Sequence, residues 1–373
     1  MSRYFGHPSH QHGSETAVGV LLVNLGTPDA PDKRAVRRYL AQFLSDPRIV
    51  ELPRWLWRLI LHGVILRLRP ARSAALYRKI WTPQGSPLAT GTAALVERVH
   101  FALHSQRPGP IVVRHAMRYG KPDIGGTLRE LAAMGMRRLL VVPLFPQYSG
   151  TTSASVLDAV GQELARWRWL PDLRFVTDYH ADARYIEALA RSVEAHWQRH
   201  GRAQRLLLSF HGIPQKYFLA GDPYFCQCQE TARRLRERLD LGEDEMIVCF
   251  QSRAGRGAWL KPYTETTLQA LPEEGIKHVQ VLCPGFAVDC LETLEEIAIT
   301  NHARFLHAGG ERFDYIPALN DGDDQVGALT DLILRQTQGW PECDPGWDPA
   351  RASAQQATAR ARHERMRDRD ARR

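Results

Sequence analysis

Leu206-Leu207-Leu208-Ser209-Phe210-His211-Gly212-Ile213-Pro214 is the stretch that decides the fold. Five residues of buried-strand character run without interruption into a histidine, and a Gly-x-Pro turn signal follows at once. A continuous apolar run of this length, bounded by turn residues, reads as a strand covered on both faces, which is the habit of parallel sheets. In open α/β folds, ligands sit just beyond the carboxyl ends of the strands. His211 therefore stands where chemistry is usually found.

The same rhythm extends in both directions. Apolar runs at residues 18–25, 111–117, 138–143 and 173–178 precede it, and runs at 246–251 and 279–283 follow. Helical patterns lie between them: residues 124–134, 183–200, 224–239, 263–271, a helix from Asp289, and 324–336. Strands alternating with helices predict a parallel sheet flanked by helices, and the alternation starts afresh after residue 181. The expected fold class is α/β with two Rossmann-like lobes, at 17–170 and 171–340, and a cleft between them. Residues 1–16 read as a disordered N-terminus and 341–373 as an Arg-rich tail, disordered or a solvated helix, here taken as disordered. Gly26-Thr27-Pro28 lacks Gly-x-Gly-x-x-Gly spacing, which argues against a dinucleotide site.

Composition narrows the function classes. The net charge of +8 is concentrated at the end: residues 351–373 hold eight arginines against Glu364, Asp368 and Asp370, which leaves the rest of the chain only mildly basic. The charge is thus poor support for a specific nucleic-acid partner. No run of about 18 apolar residues predicts a transmembrane helix, and the first sixteen residues lack the apolar core of a signal peptide. The expected location is the cytoplasm. Six cysteines are scattered, as expected of reduced thiols. Cys249 and Cys283 fall in strand-like runs, and Cys226 and Cys228 form a close pair, short of the four ligands of a closed metal or Fe–S site.

The chemistry-bearing residues are His211 and a row of acids. Asp289, Glu292 and Glu296 are three and four apart and share one face of the predicted helix, with Glu295 at its edge. A solvated acidic face is the bland reading. The helix follows the strand at 279–283 through Pro284-Gly285-Phe286, however, which turns its first turn toward the cleft. There, clustered carboxylates raise one another's pKa and offer weak oxygen sites for a divalent ion or a proton relay. A separate helical segment, 53–66, carries Arg54, Arg58 and His62 on a narrow stripe and is otherwise apolar. It reads as a core helix or as an apolar lip over a ligand.

Six motifs occur in order across residues 17–335: Val23-Asn24-Leu25-Gly26-Thr27-Pro28; Met117-Arg118-Tyr119; Pro146-Gln147-Tyr148-Ser149; Ser209-Phe210-His211-Gly212-Ile213-Pro214 with Gly221-Asp222-Pro223-Tyr224; Gln251-Ser252-Arg253 with Trp259; and Asp289-Cys290-Leu291-Glu292-Thr293-Leu294-Glu295-Glu296. Together they resemble the ferrochelatases, which insert Fe²⁺ into a porphyrin to make haem. The resemblance implies protoporphyrin IX and Fe²⁺ as substrates, with no required cofactor. It assigns His211 and Glu292 to catalysis and metal contact, and Asp289 and Glu296 to a metal or proton path. It places Leu25, Tyr77, Trp259, Arg118 and Tyr119 against the macrocycle and Arg69 and Ser86 at its propionates. It also implies a mobile apolar lip at about 53–69 that touches the inner membrane face peripherally. Gly150 occupies the position of a cluster cysteine in animal-type relatives, so an Fe–S cluster is not expected. Two alternatives stay open: another tetrapyrrole chelatase, acting with cobalt or nickel or on coproporphyrin, and a non-catalytic tetrapyrrole carrier, which needs an axial ligand but no carboxylate row.

Overall fold

Two four-stranded parallel sheets, built on one strand order, organise the chain. The first contains β1 (Ala17–Asn24), β2 (Ile111–Met117), β3 (Met136–Pro143) and β4 (Asp172–Phe175), in the order β2-β1-β3-β4. The second contains β5 (Arg205–His211), β6 (Met246–Gln251), β7 (His278–Leu282) and β8 (Arg312–Ile316), in the order β6-β5-β7-β8. The structure is a computed structural model and describes residues 4, 15–255 and 257–371.

The strands alternate their faces as the pleat requires. In β1, Val18, Val20 and Leu22 enter one core while Leu21 and Val23 enter another. In β5, Leu206, Leu208 and Phe210 join that same first core, and Leu207 faces the opposite side. The inner faces of both sheets therefore share one core, completed by the helices Pro87–Gln106, Ala183–His200 and Asp323–Gln336. Full burial of such Val and Leu side chains stabilises by about 1.5–3 kcal/mol each, so this shared layer fixes how the lobes sit against one another.

Three expectations change. The division at 170/171 falls ahead of β4, which pairs in register with β3, so the first sheet runs to Phe175. β8 was not anticipated: Arg312-Phe313-Asp314-Tyr315-Ile316 is a short edge strand with polar residues on alternate positions. Among the described residues, 341–371 are not a disordered tail. Glu342 and Cys343 are buried, and the Glu342 carboxylate accepts from Arg138 Nη1 and Thr16 Oγ1. A solvent-exposed helix, Pro349–Ala371, follows. The expected disordered N-terminus falls largely on residues 1–3 and 5–14, outside the described residues.

The segment at 53–69 forms the start of one interrupted helix: Arg54–Ile60, a π turn at Leu61–Ile65, then Leu66–Ile80. No residue of Arg54–Ile60 is buried. Trp55, Leu59 and Leu68 are 69%, 66% and 71% exposed. The core-helix reading is therefore set aside, because the apolar side faces outward. Inward, Leu61, Leu66, Ala74, Tyr77 and Ile80 form a satellite core with Val36, Tyr39 and Tyr119.

Candidate active site

The loops after β1, β3, β5 and β7 converge at the carboxyl ends of the two sheets, as switch-point geometry requires. On the first lobe, the amides of Arg118 and Tyr119 donate to the carbonyls of Asn24 and Leu25. Gly26 lies beneath Tyr119 at φ +109°, where a Cβ would fall 1.7 Å from the Tyr119 carbonyl oxygen. Only glycine fits so close a backbone approach, which accounts for Gly26 in the first motif, against the second.

Arg118 and Tyr119 share polar partners in Asp46 and Ser155. Arg118 Nη2 lies 2.5 Å from Asp46 Oδ2, its Nε donates to Ser155, and the Tyr119 hydroxyl donates to the same Asp46 oxygen at 2.8 Å. Ser155 Oγ donates there too, at 2.6 Å. Burial by itself would raise the Asp46 carboxyl. The Ser155, Arg48-amide and Tyr119 hydrogen bonds and the Arg118 charge outweigh it and hold the group below its usual range. Tyr119 is 1% exposed, and its ring packs in the same cluster as Leu25, Tyr39 and Tyr77.

The second lobe is arranged differently. His211 ends β5, and its Nδ1 lies 2.7 Å from the Gly212 carbonyl oxygen. A carbonyl only accepts, so Nδ1 carries the hydrogen, and neutral His211 keeps its lone pair on Nε2. From the adjoining β6, Gln251 Nε2 donates to the Glu292 carbonyl at 2.8 Å, and Ser252 follows at φ +63°. That left-handed backbone is costly for serine and marks stored strain. It directs both the Ser252 amide (2.7 Å) and hydroxyl (2.5 Å) to the Glu296 carboxylate. Burial raises the Glu296 carboxyl; the Ser252 donors and the His211 charge pull it back, and Glu292 pushes it up again. Glu296 is thus within electrostatic reach of both His211 and Glu292.

The acids ride on a π-helix, Leu291–Asn301, instead of an α-helix. Its i→i+5 pairing widens the turn, and such segments are frequent at functional sites. The face expected to hold three acids holds two. Asp289 precedes the helix, and its carboxylate accepts from the Tyr315 hydroxyl (2.5 Å), Thr293 Oγ1 (2.9 Å) and Asn320 Nδ2 (2.9 Å). These donors occupy it as a structural staple, whereas Glu296 faces Ser252. Glu295 is turned to Lys79.

The apolar side of the site comes from both lobes. Leu25, Tyr39, Tyr77 and Tyr119 pack in one cluster with Leu291 and Leu294 of the π-helix. The Tyr39 and Tyr77 hydroxyls are pushed well above their usual value, chiefly by burial and further by the Glu292 charge. Trp259 is half-buried beside the His211 loop: it bridges to Pro214 and meets the face of Gly212. Ser86 is buried, and its Oγ accepts from Thr27 Oγ1 at 2.9 Å. Arg69 is exposed on the lip helix.

Two motifs find their purpose in each other. Asp222 Oδ2 accepts from Ser149 Oγ (2.9 Å) and the Gly150 amide (2.8 Å), across 72 residues of chain. This ties the loop after β3 to the segment beyond His211. Cys226 is exposed, Cys228 is buried, and the six thiols are free. Sequence reasoning missed Asp46, Ser155, Tyr39 and the Ser252–Glu296 clamp. Their partners lie far away in sequence, and no local signal announces them.

The chain is similar over most of its length to proteins of one family. The family profile for Ferrochelatase matches residues 17–337. A ferrochelatase of Thioalkalivibrio sulfidiphilus is 55% identical over 96% of each chain, and one of Nitrosococcus oceani is 54% identical over 96% of each. Among solved structures, SirB from Bacillus subtilis with Fe³⁺ overlaps distantly, with a TM-score of 0.49 and 13% identity over 89% of this chain and 100% of that one. On the extent of these sequence matches, the chain belongs to the ferrochelatase family.

Proposed function

We propose that the chain inserts Fe²⁺ into protoporphyrin IX in the last step of haem formation, with His211 as proton acceptor and Glu292 beside it as the metal-facing carboxylate. The reaction exchanges two pyrrole N–H protons for one ferrous ion. His211 Nε2 takes the two pyrrole protons in turn, the first being passed on toward the carboxylates before the second is accepted; the hydrogen bond from Nδ1 to Gly212 keeps the lone pair on the nitrogen that can do so. That hydrogen bond is the observation that carries the reading. Glu292 offers an oxygen to Fe²⁺ as it sheds water, an arrangement that suits a metal that must be released again. Glu296, held by Ser252, moves protons or metal onward. Asp289 contributes by fixing the start of the helix. The cluster of Leu25, Tyr77 and Leu291, with Trp259 on the His211 side, supplies flat apolar walls for a macrocycle, and Arg69 and Ser86 suit its propionates. Neither an organic cofactor nor an Fe–S cluster enters this chemistry.

The exposed lip residues Trp55, Leu59 and Leu68, with Arg58 and Arg67 among them, suit peripheral contact with a membrane surface on the cytoplasmic side. No helix among the described residues is long and apolar enough to cross a membrane.

The decisive experiment is an anaerobic assay of the purified chain with Fe²⁺, read by loss of porphyrin fluorescence, with protoporphyrin and coproporphyrin in parallel. Turnover of protoporphyrin above coproporphyrin is expected. The reverse preference, or porphyrin binding without turnover, overturns the reading. Co-sedimentation with anionic vesicles, reduced by Trp55→Ser with Leu59→Ser, tests the lip.

A further inference from the structure

The π-helix carries a third acid that the proposed chemistry leaves unused. Glu295 stands next to Glu296 in sequence yet does not join the Ser252 clamp. Its side chain is 6% exposed, and Lys79 Nζ lies 2.7 Å from its Oε1. Thr300 Oγ1 donates to the same oxygen at 2.9 Å. Lys79 is in the last turn of Leu66–Ile80, the helix that continues directly from the exposed lip. Around this pair, Leu291 and Leu294 pack with Tyr77, Ile80 and Trp81.

A buried carboxylate left without its cation is strongly unfavourable, so the pair resists separation. The π-helix is consequently tied from two sides, and the Ser252 clamp on Glu296 is one tie from the second lobe. Gln251 Nε2 holds the Glu292 carbonyl from the second lobe, and Lys79 holds Glu295 from the lip helix. An i→i+5 helix is a rare, poorly packed form that needs outside support. A shift at Glu295 displaces residues within one turn on either side, which are Glu292 and Glu296.

We propose that Lys79 is a positioning residue: through Glu295 it lets the lip helix set where Glu292 and Glu296 stand relative to His211. The inference rests on the roles given to those acids above. Lip and carboxylates then form one mechanical unit, so a movement of the lip is transmitted to the site that receives the metal.

The test uses the full chain under anaerobic steady-state conditions, with saturating protoporphyrin and Fe²⁺ varied. Lys79→Met is expected to raise the apparent KM for Fe²⁺ about 10-fold, the scale on which sub-ångström misplacement acts, whereas Lys79→Arg stays within about 2-fold of wild type. The double variant Lys79→Met/Glu295→Gln removes the stranded charge. It is expected to recover the Tm lost by Lys79→Met while keeping the raised KM, a split that a purely stabilising salt bridge does not produce. If Lys79→Met fails to fold, the double variant alone gives the answer. A wild-type KM in the folded variants overturns the proposal. Glu292→Gln serves as the control: a severe defect there with silent Lys79 variants removes the positioning role alone, and a silent Glu292→Gln removes the functional reading and this inference together.

Discussion

At the carboxyl end of the first sheet, Asp46, Arg118, Tyr119 and Ser155 bond one another, all three partners converging on one Asp46 oxygen. At the corresponding end of the second sheet, His211 has one nitrogen engaged and the other free to accept, and Glu296 is held against a strained Ser252. Both regions follow from the same strand order. A buried ion pair with satisfied hydrogen bonds gives a rigid wall, while clustered acids and an imidazole give groups that can change protonation. The comparison separates scaffold from chemistry within a symmetric fold, and each prediction below attacks one side of it.

The largest effect is expected at His211. His211→Ala should lower kcat by at least about 100-fold, the low end of what a positioned acid or base contributes, while porphyrin still binds by fluorescence titration. A kcat within about 10-fold of wild type, under about 1.4 kcal/mol of barrier, rejects an essential role.

Glu292 and Glu296 come next, and they should differ. Glu292→Gln should cost kcat severely, because it removes the carboxylate proposed to meet the metal, a carboxylate that has the buried Cys290 thiol as a partner. Glu296→Gln should act chiefly on the apparent KM for Fe²⁺, since an amide oxygen can still accept from Ser252. Both are measured with porphyrin saturating. Equal, mild effects would return the helix to the role of a solvated face, on which such changes stay within about ±0.5 kcal/mol in stability.

How much of this contrast was legible in advance depends on distance along the chain. The strands around His211 were readable because buried parallel strands are continuous apolar runs. β8 was not, because an edge strand of five residues with a polar alternate face looks like a loop. The order of the motifs pointed to the family, but the bonds of Arg118 and Tyr119 to Asp46, more than 70 residues away, left no local mark. The π-helix was invisible as well. Leu291-Glu292-Thr293-Leu294-Glu295-Glu296 satisfies ordinary helical spacing, and only tertiary ties at Gln251, Ser252 and Lys79 distinguish the wider form. Asp289 was misgrouped for the same reason: its spacing fitted the face, but it lies before the helix begins.

The scaffold side predicts stability losses in place of catalytic ones. Asp46→Ala strands Arg118 and should cost about 3–5 kcal/mol of unfolding free energy, as for other broken buried pairs, with kcat of the folded fraction little changed. The pH dependence has a definite sign. The Asp46 carboxyl is held below its ordinary value of 3.8, so its contribution is full above that value and is lost as pH falls through the lower folded-state value. Asp46→Asn should therefore be less stable than wild type at neutral pH, with the gap closing in acid. A gap that is independent of pH would mean that Asp46 acts through packing alone.

The smallest effect is expected at Cys226, where the comparison extends to metal clusters. Cys226 and Cys228 are two apart on the helix Tyr224–Arg238, but one is exposed and the other has no exposed surface. Burial, foremost, pushes the Cys228 thiol well above its usual range, against the pull of a hydrogen bond with Tyr224. A thiol in that setting resists becoming the thiolate that ligates iron. Tyr224 in turn takes a hydrogen bond from the His211 backbone, so drawing Cys228 outward would disturb the strand tip that carries the His211 imidazole. Cys226→Ser should thus leave kcat within about 2-fold and Tm within experimental scatter, as exposed substitutions usually do. Anaerobically purified chain should lack acid-labile sulfide and visible cluster absorption. Stoichiometric sulfide that disappears with Cys226→Ser would place a cluster on this helix and make the second lobe's chemistry more than acid–base.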